Sequence, residues 1–217
     1  MTESAISIVI ADDHPLFRQA LSSTLANHYP ASCIYEAQDI ASLQQQLSLL
    51  SQVDVVLLDL NMPGCIGFAG LIHINANYPQ VPVIMISADD SQAMMAKALT
   101  NGAAGFISKT SSAETIYNAI DTIMLGDIWD PDKLLQKNLE PNEIDEQNAR
   151  LIASLTPMQF KVASLLINGL LNKQIAAELS VTEATVKAHI TSIFRKLDVS
   201  SRTQAVLVLD KLGICGQ

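Results

Sequence analysis

Five side chains with the chemistry for phosphoryl transfer stand at the ends of short apolar runs. Asp12 and Asp13 follow residues 6–10, Asp59 follows 55–58, Ser87 follows 81–86 and Lys109 follows 104–107. Three carboxylates drawn into one crevice repel each other, and a hard divalent cation with oxygen ligands and retained water relieves that repulsion. Mg²⁺ is the cation expected. It lets an anionic phosphoryl donor approach an anionic nucleophile: Asp59 attacks phosphorus, while the Ser87 hydroxyl and the Lys109 ammonium hold phosphoryl oxygens. Any one of these residues alone reads as a helix cap, a turn or a solvated charge. Their recurrence at successive run ends is what points to one site. His14, in the same stretch, reads as a loop or capping residue.

The elements that must position these groups follow from periodicity. The apolar runs at residues 6–10, 33–37, 55–58, 81–86 and 104–107 predict strands, and residues 15–28, 40–50, 67–77, 91–101 and 112–125 predict helices between and after them. Strands joined by crossover helices pair in parallel with right-handed connections, which makes residues 1–126 a five-stranded, doubly wound α/β domain. In such a sheet the ligand crevice lies beyond the carboxyl ends of the strands, where all five residues stand.

Residues 127–150 turn polar, and the stretch 138–148 is rich in Asn, Gln, Asp and Glu; this reads as a linker, with a short helix near residues 132–137. From residue 151 to 217 the pattern is all helical. Thr156-Pro157-Met158-Gln159 forms a capping box with proline in the first turn, and Asn168-Gly169 closes that helix. Asn172 is expected to cap a second helix, Thr182 a third reaching Leu197, and Ser201 with Gln204 a fourth. Four helices with a three-residue turn at 180–182 constitute a helix-turn-helix unit.

On the third of these helices Val186, Ile190, Ile193 and Leu197 share one face, which is core. The opposite face carries Ala184, Ala188, Thr191 and Arg195, flanked by Lys187 and Ser192. Small side chains let such a helix enter a major groove, with Lys187 and Arg195 reaching phosphates or a guanine edge. Lys173 and Arg202, at the starts of the neighbouring helices, are expected to add phosphate contacts.

The charge is distributed to match. The chain carries −9 overall, but residues 1–130 hold three basic and thirteen acidic side chains (net −10), whereas residues 151–217 hold seven basic and four acidic ones (net +3). Only the C-terminal third suits a polyanion. No apolar segment approaches a membrane span and the start lacks a signal-like core, so a cytoplasmic protein with no membrane partner is expected. Cys33, Cys65 and Cys215 form neither a disulfide framework nor a zinc-ligand pattern.

Over residues 5–125 the sequence resembles the receiver domain of two-component response regulators, through Asp12-Asp13, the run Asp59-Leu60-Asn61-Met62-Pro63-Gly64 with Gly67, Ser87-Ala88, and Gly102-Ala103 through Phe106 to Lys109. The resemblance implies that Asp59 is the phosphoacceptor. It also implies that Asp13, Asp59 and the Asn61 backbone carbonyl ligate Mg²⁺, with Asp12 acting largely through water, and that Ser87 and Phe106 are the switch pair. Receivers often follow the lysine with a cis proline, whereas Thr110 follows Lys109 here. Residues 151–214 resemble the LuxR-type (NarL/FixJ-like) effector domain, through Leu155-Thr156-Pro157, Asn172-Lys173-Gln174-Ile175-Ala176, Thr185-Val186-Lys187-Ala188-His189, Leu197-Asp198-Val199 and Ser201-Arg202. Met158-Gln159 stand where that family usually has Arg-Glu.

Together the two resemblances imply a DNA-binding transcriptional regulator that takes phosphoryl from a cognate histidine kinase, works as a homodimer when phosphorylated or on DNA, and is no enzyme apart from its own phosphorylation and slow dephosphorylation. Its DNA-contacting residues would be Lys173, Thr185, Lys187, Ala188, Thr191, Arg195 and Arg202. Two alternatives stay open. One is a constitutive DNA-binding protein with a silent receiver. The other is an aspartyl-nucleophile phosphatase, although such enzymes want a second Asp two places after the nucleophile, where Asn61 stands.

Overall fold

The computed structural model describes residues 6–65, 67–130, 132 and 143–214. Its first part is a sheet of five parallel strands, β1 (Ser7–Ala11), β2 (Cys33–Ala37), β3 (Val55–Asp59), β4 (Val83–Ser87) and β5 (Gly105–Ser108), in the order β2-β1-β3-β4-β5. Helices α1 (Pro15–His28), α2 (Ile40–Leu49), α3 (Ala69–Asn77), α4 (Gln92–Thr100) and α5 (Ala113–Met124) follow the strands in turn. Every residue of β3 and β4 is buried, as expected of strands covered on both sheet faces. One apolar cluster, with Ile8, Ile10, Leu57, Ile84 and Ile120, fills the α1/α5 side; the other, with Val9, Leu58, Met85, Leu71 and Ile74, fills the α2/α3 side. Helices α4 and α5 start at Ser91 and Ser112, whose hydroxyls accept the backbone N–H of Met94 and Thr115.

The order reverses between β1 and β3, and that switch point brings their carboxyl ends side by side. Ala11 pairs with Leu58 there, so Asp12 and Asp59 each leave the sheet at the same level.

The second part is helical: α6 (Glu143–Ser154), α7 (Pro157–Ile167), α8 (Asn172–Glu178), α9 (Glu183–Leu197) and α10 (Arg202–Lys211). Thr156 and Gln159 form the expected capping box, Thr182 caps α9 and Ser201 caps α10. Asn172 is not a cap. It is the first residue of α8, the N-cap position belongs to Leu171, and the Gln174 side chain accepts the Leu171 N–H at 2.8 Å. Helix α6 occupies the end of the stretch read as a linker; the short helix expected near residues 132–137 lies outside the described residues, apart from Asp132.

The two parts share a continuous apolar core. Helix α3 packs on α6, and the ring of Phe160 from α7 lies over that of His73 from α3 with centroids 4.1 Å apart. Ser164 of α7 donates its hydroxyl to the Gly64 carbonyl at 3.0 Å, and Asn77 approaches the Leu155 carbonyl at 3.4 Å. Residues 67–77 contain no charged side chain. A helix apolar on more than one face needs a cover on more than one face: the sheet supplies one here, and α6 and α7 the other.

Candidate functional site

At the switch point, Asp12 and Asp59 are 2% and 4% exposed, and Asp13 keeps 34% of its side chain open to solvent. With His14 they form a cluster whose ligand atoms all lie within 4.8 Å of one another. Lys109 reaches in from the end of β5, its Nζ 2.7 Å from Asp12 Oδ2 and 3.1 Å from Asp59 Oδ1, with the Phe17 ring beneath it at 5.0 Å. His14 Nδ1 sits 2.6 Å from Asp13 Oδ1 and 3.1 Å from Asp12 Oδ1, and the His14 N–H donates to Asp12 Oδ1 at 2.8 Å. Arg18 donates to the Asp12 carbonyl at 2.7 Å and so fixes the turn after β1.

Burial pushes the Asp59 carboxyl up from its ordinary range, and the neighbouring Asp12 charge pushes it further; Lys109 opposes both. Burial alone would lower the Lys109 ammonium, yet its hydrogen bonds to Asp12 and Asp59 and their charges leave it raised overall. Lys109 is thus held protonated between two carboxylates. The three carboxylates of the cluster offer hard oxygens, with that of Asp13 open to solvent for retained water, and they fit a Mg²⁺ ion.

Ser87 is buried at the end of β4, its hydroxyl accepting the Asp89 N–H at 3.0 Å. Phe106 is buried on β5, where it pairs with Met85. Asn61 is exposed in the turn after β3, a turn closed by the Cys65 N–H on the Met62 carbonyl at 3.0 Å. The described residues contain no cis peptide, so the Lys109–Thr110 bond is trans; the Ser108 and Thr110 hydroxyls pair across it at 2.8 Å.

The second site is the outer face of α9. Val186, Ile190, Ile193 and Leu197 are buried, whereas Ala184, Lys187, Ala188, Thr191 and Arg195 are exposed and Thr185 is half-buried. Lys187 pairs with Glu183 one turn earlier at 3.2 Å, and the Thr191 hydroxyl donates back to the Lys187 carbonyl at 2.9 Å. Lys173 is exposed at the start of α8. Arg202 departs from expectation: its guanidinium turns inward and donates to the carbonyls of Leu170 (2.6 Å) and Leu166 (3.3 Å) and to Asn172 Oδ1 (3.4 Å). It satisfies the carbonyl end of α7, which a phosphate contact would not do. Gln159 accepts from Lys196 at 2.6 Å and donates to Ser192 at 3.0 Å, which ties α7 to α9.

Reading the sequence did not find the docking residues His73, Phe160 and Ser164. The missed signal is the uncharged α3.

Comparison with known proteins finds two families in this chain. Residues 8–121 match the response regulator receiver domain, and residues 153–209 match the bacterial regulatory proteins of the luxR family. The glycerol metabolism activator of Pseudomonas putida is 38% identical over 92% of this chain and 93% of its own length. The nitrate/nitrite response regulator NarP of Escherichia coli is 32% identical over 95% of each chain. The response regulator RcsB of Salmonella typhimurium shares the fold, with a TM-score of 0.54 and 23% identity over 96% of this chain and 99% of that one. This chain therefore belongs to the two-component response regulators that join a receiver to a LuxR-type DNA-binding domain.

Proposed function

We propose that Asp59 is the phosphoacceptor and that its phosphorylation by a histidine kinase controls DNA binding through α9. The observation that carries this reading is the buried Asp59 carboxylate at the switch point, flanked by Asp12 and Asp13 and facing the Lys109 ammonium at 3.1 Å. An Asp59 oxygen attacks phosphorus, the phosphorus–nitrogen bond of the donor phosphohistidine breaks, and the imidazole leaves with a proton. Lys109 shifts from the carboxylates to a phosphoryl oxygen and Ser87 donates its hydroxyl to another, both stabilising the charge that develops. Asp12, Asp13, Asp59 and the Asn61 carbonyl would hold Mg²⁺. When bound, the ion offsets repulsion between the donor and the carboxylates. The same site supports slow hydrolysis of the acyl phosphate.

Lys187 and Arg195 supply phosphate and guanine contacts to DNA, with Lys173 at the backbone; Ala188, Thr191 and Thr185 let α9 approach the bases. Arg202 acts as a brace for α7. Two copies bind adjacent half-sites as a homodimer, in the cytoplasm.

Binding of a promoter fragment, measured with and without acetyl phosphate plus Mg²⁺, tests the reading. Wild type should gain affinity, and Asp59→Asn should gain none. An equal gain in both proteins overturns it.

A further inference from the structure

The strongest unassigned feature is a hydrogen bond between the loop after Asp59 and the DNA-binding domain. Ser164 Oγ lies 3.0 Å from the Gly64 carbonyl and 3.1 Å from the Phe160 carbonyl, both within reach of its single proton. The Phe160 carbonyl stands one helical turn earlier and has the helix N–H to satisfy it. Gly64 is buried, so its carbonyl depends on the hydroxyl. The loop is short and pinned at neighbouring points. Pro63 accepts the Ile40 N–H at 3.2 Å, Met62 accepts the Cys65 N–H at 3.0 Å, and Gly64 sits at φ +99°, a backbone that only glycine adopts easily. A tug at Gly64 therefore moves the loop as a unit. Three residues before Gly64, in that unit, stands Asn61.

We infer that Ser164 is a positioning residue for the receiver site: from the DNA-binding domain it holds the Asp59 loop in its resting form and restrains metal binding there. The inference rests on the phosphoacceptor reading above. Lys109 now lies against Asp12 and Asp59, so a cation entering the cluster must displace the ammonium; on the phosphoacceptor reading it also takes the Asn61 carbonyl as a ligand. Moving that carbonyl strains or breaks the Ser164–Gly64 bond. Linkage makes the coupling mutual: whatever loads the carboxylate site loosens docking, and whatever loosens docking eases loading. This route runs directly from the loop into α7, separate from Ser87 and Phe106 on β4 and β5.

Removing the hydroxyl leaves the buried Gly64 carbonyl unpaired in the docked form alone, so the docked form is penalised. Alanine suits a helix interior, and the fold of Ser164→Ala is checked by circular dichroism. The test is a Mn²⁺ titration of the full-length protein without phosphodonor, with free Mn²⁺ followed by electron paramagnetic resonance. The same preparations are assayed for DNA affinity. Asp13→Asn identifies the carboxylate site by its loss of binding. Ser164→Ala should bind Mn²⁺ roughly fivefold more tightly than wild type, the change expected for one net hydrogen bond, and should bind DNA more tightly without phosphodonor. A Ser164 that only stabilised docking would raise DNA affinity and leave Mn²⁺ affinity unchanged. That result, or weaker Mn²⁺ binding, overturns the inference alone. Wild type without a Mn²⁺ site at the carboxylates overturns the phosphoacceptor reading and this inference with it.

Discussion

The rings of His73 of α3 and Phe160 of α7 pack at a tilt of 32° with centroids 4.1 Å apart, and both residues are fully buried. The pair is part of the contact that joins receiver to DNA-binding domain. Burial lowers His73 to about 4, the Ile152 backbone offsetting only part of the effect. Docking therefore requires the neutral imidazole.

The sign of the pH dependence follows. The docked state binds fewer protons at His73 than the open state, where the imidazole regains its ordinary value near 6.5. Docking is at full strength above about 6.5 and weakens as the pH falls toward about 4, by at most roughly thirtyfold at pH 5. Small-angle scattering at pH 7.5 and 5 should show the wild type expanding. His73→Phe keeps a ring against Phe160 but cannot titrate, so it should stay compact. Equal expansion of both proteins removes His73 from the explanation.

Lys109 has two effects of opposite sign. Its ammonium competes with a cation for Asp12 and Asp59, yet it is needed once phosphoryl oxygens arrive. Lys109→Met should therefore bind Mn²⁺ more tightly and still label from acetyl phosphate more slowly, on the order of tenfold to a hundredfold. If labelling accelerates along with tighter metal binding, Lys109 does not stabilise the transferring group.

For the DNA face, Lys187→Ala should weaken promoter binding and lower the salt slope by about 0.9 if it neutralises one phosphate. The exposed pair with Glu183 does not compete seriously, since such pairs contribute little in water. An unchanged affinity and slope would mean that α9 meets DNA through another face. Arg202→Ala, by contrast, should act on stability more than on the salt slope, because its guanidinium is spent on the carbonyls of Leu166 in α7 and Leu170 just beyond it.

Where sequence reading succeeded, the information was local or periodic. Strand ends are legible because a buried parallel strand is a continuous apolar run that stops abruptly at Asp12, Asp59 or Ser87. The helices of the second domain announce themselves through Thr156, Thr182 and Ser201. Asn172 misled because asparagine favours the cap, but Gln174 and Leu171 form the closing bond one residue earlier. Arg202 misled for a different reason: a basic residue at a helix start looks the same whether it points to phosphate or to carbonyls 32 and 36 residues away. Helix α6 is hidden because most of it lies in the polar stretch 127–150, and its buried anchor just beyond that stretch, Ile152, gains meaning only against α3. The acidic receiver docks on α6 and α7, and Lys187, Ala188, Thr191 and Arg195 remain exposed. Docking therefore leaves those residues unmasked, and the restraint proposed above would act through the orientation of the two domains.

The most direct test of the central claim is to find where phosphoryl goes. The protein is labelled with acetyl phosphate and Mg²⁺, reduced with borohydride to convert any aspartyl phosphate to homoserine, and mapped by peptide mass spectrometry. The account predicts homoserine at residue 59 alone, dependent on Mg²⁺, and none in Asp59→Asn. Homoserine at another aspartate in the wild type, or labelling that persists undiminished in Asp59→Asn, would contradict it.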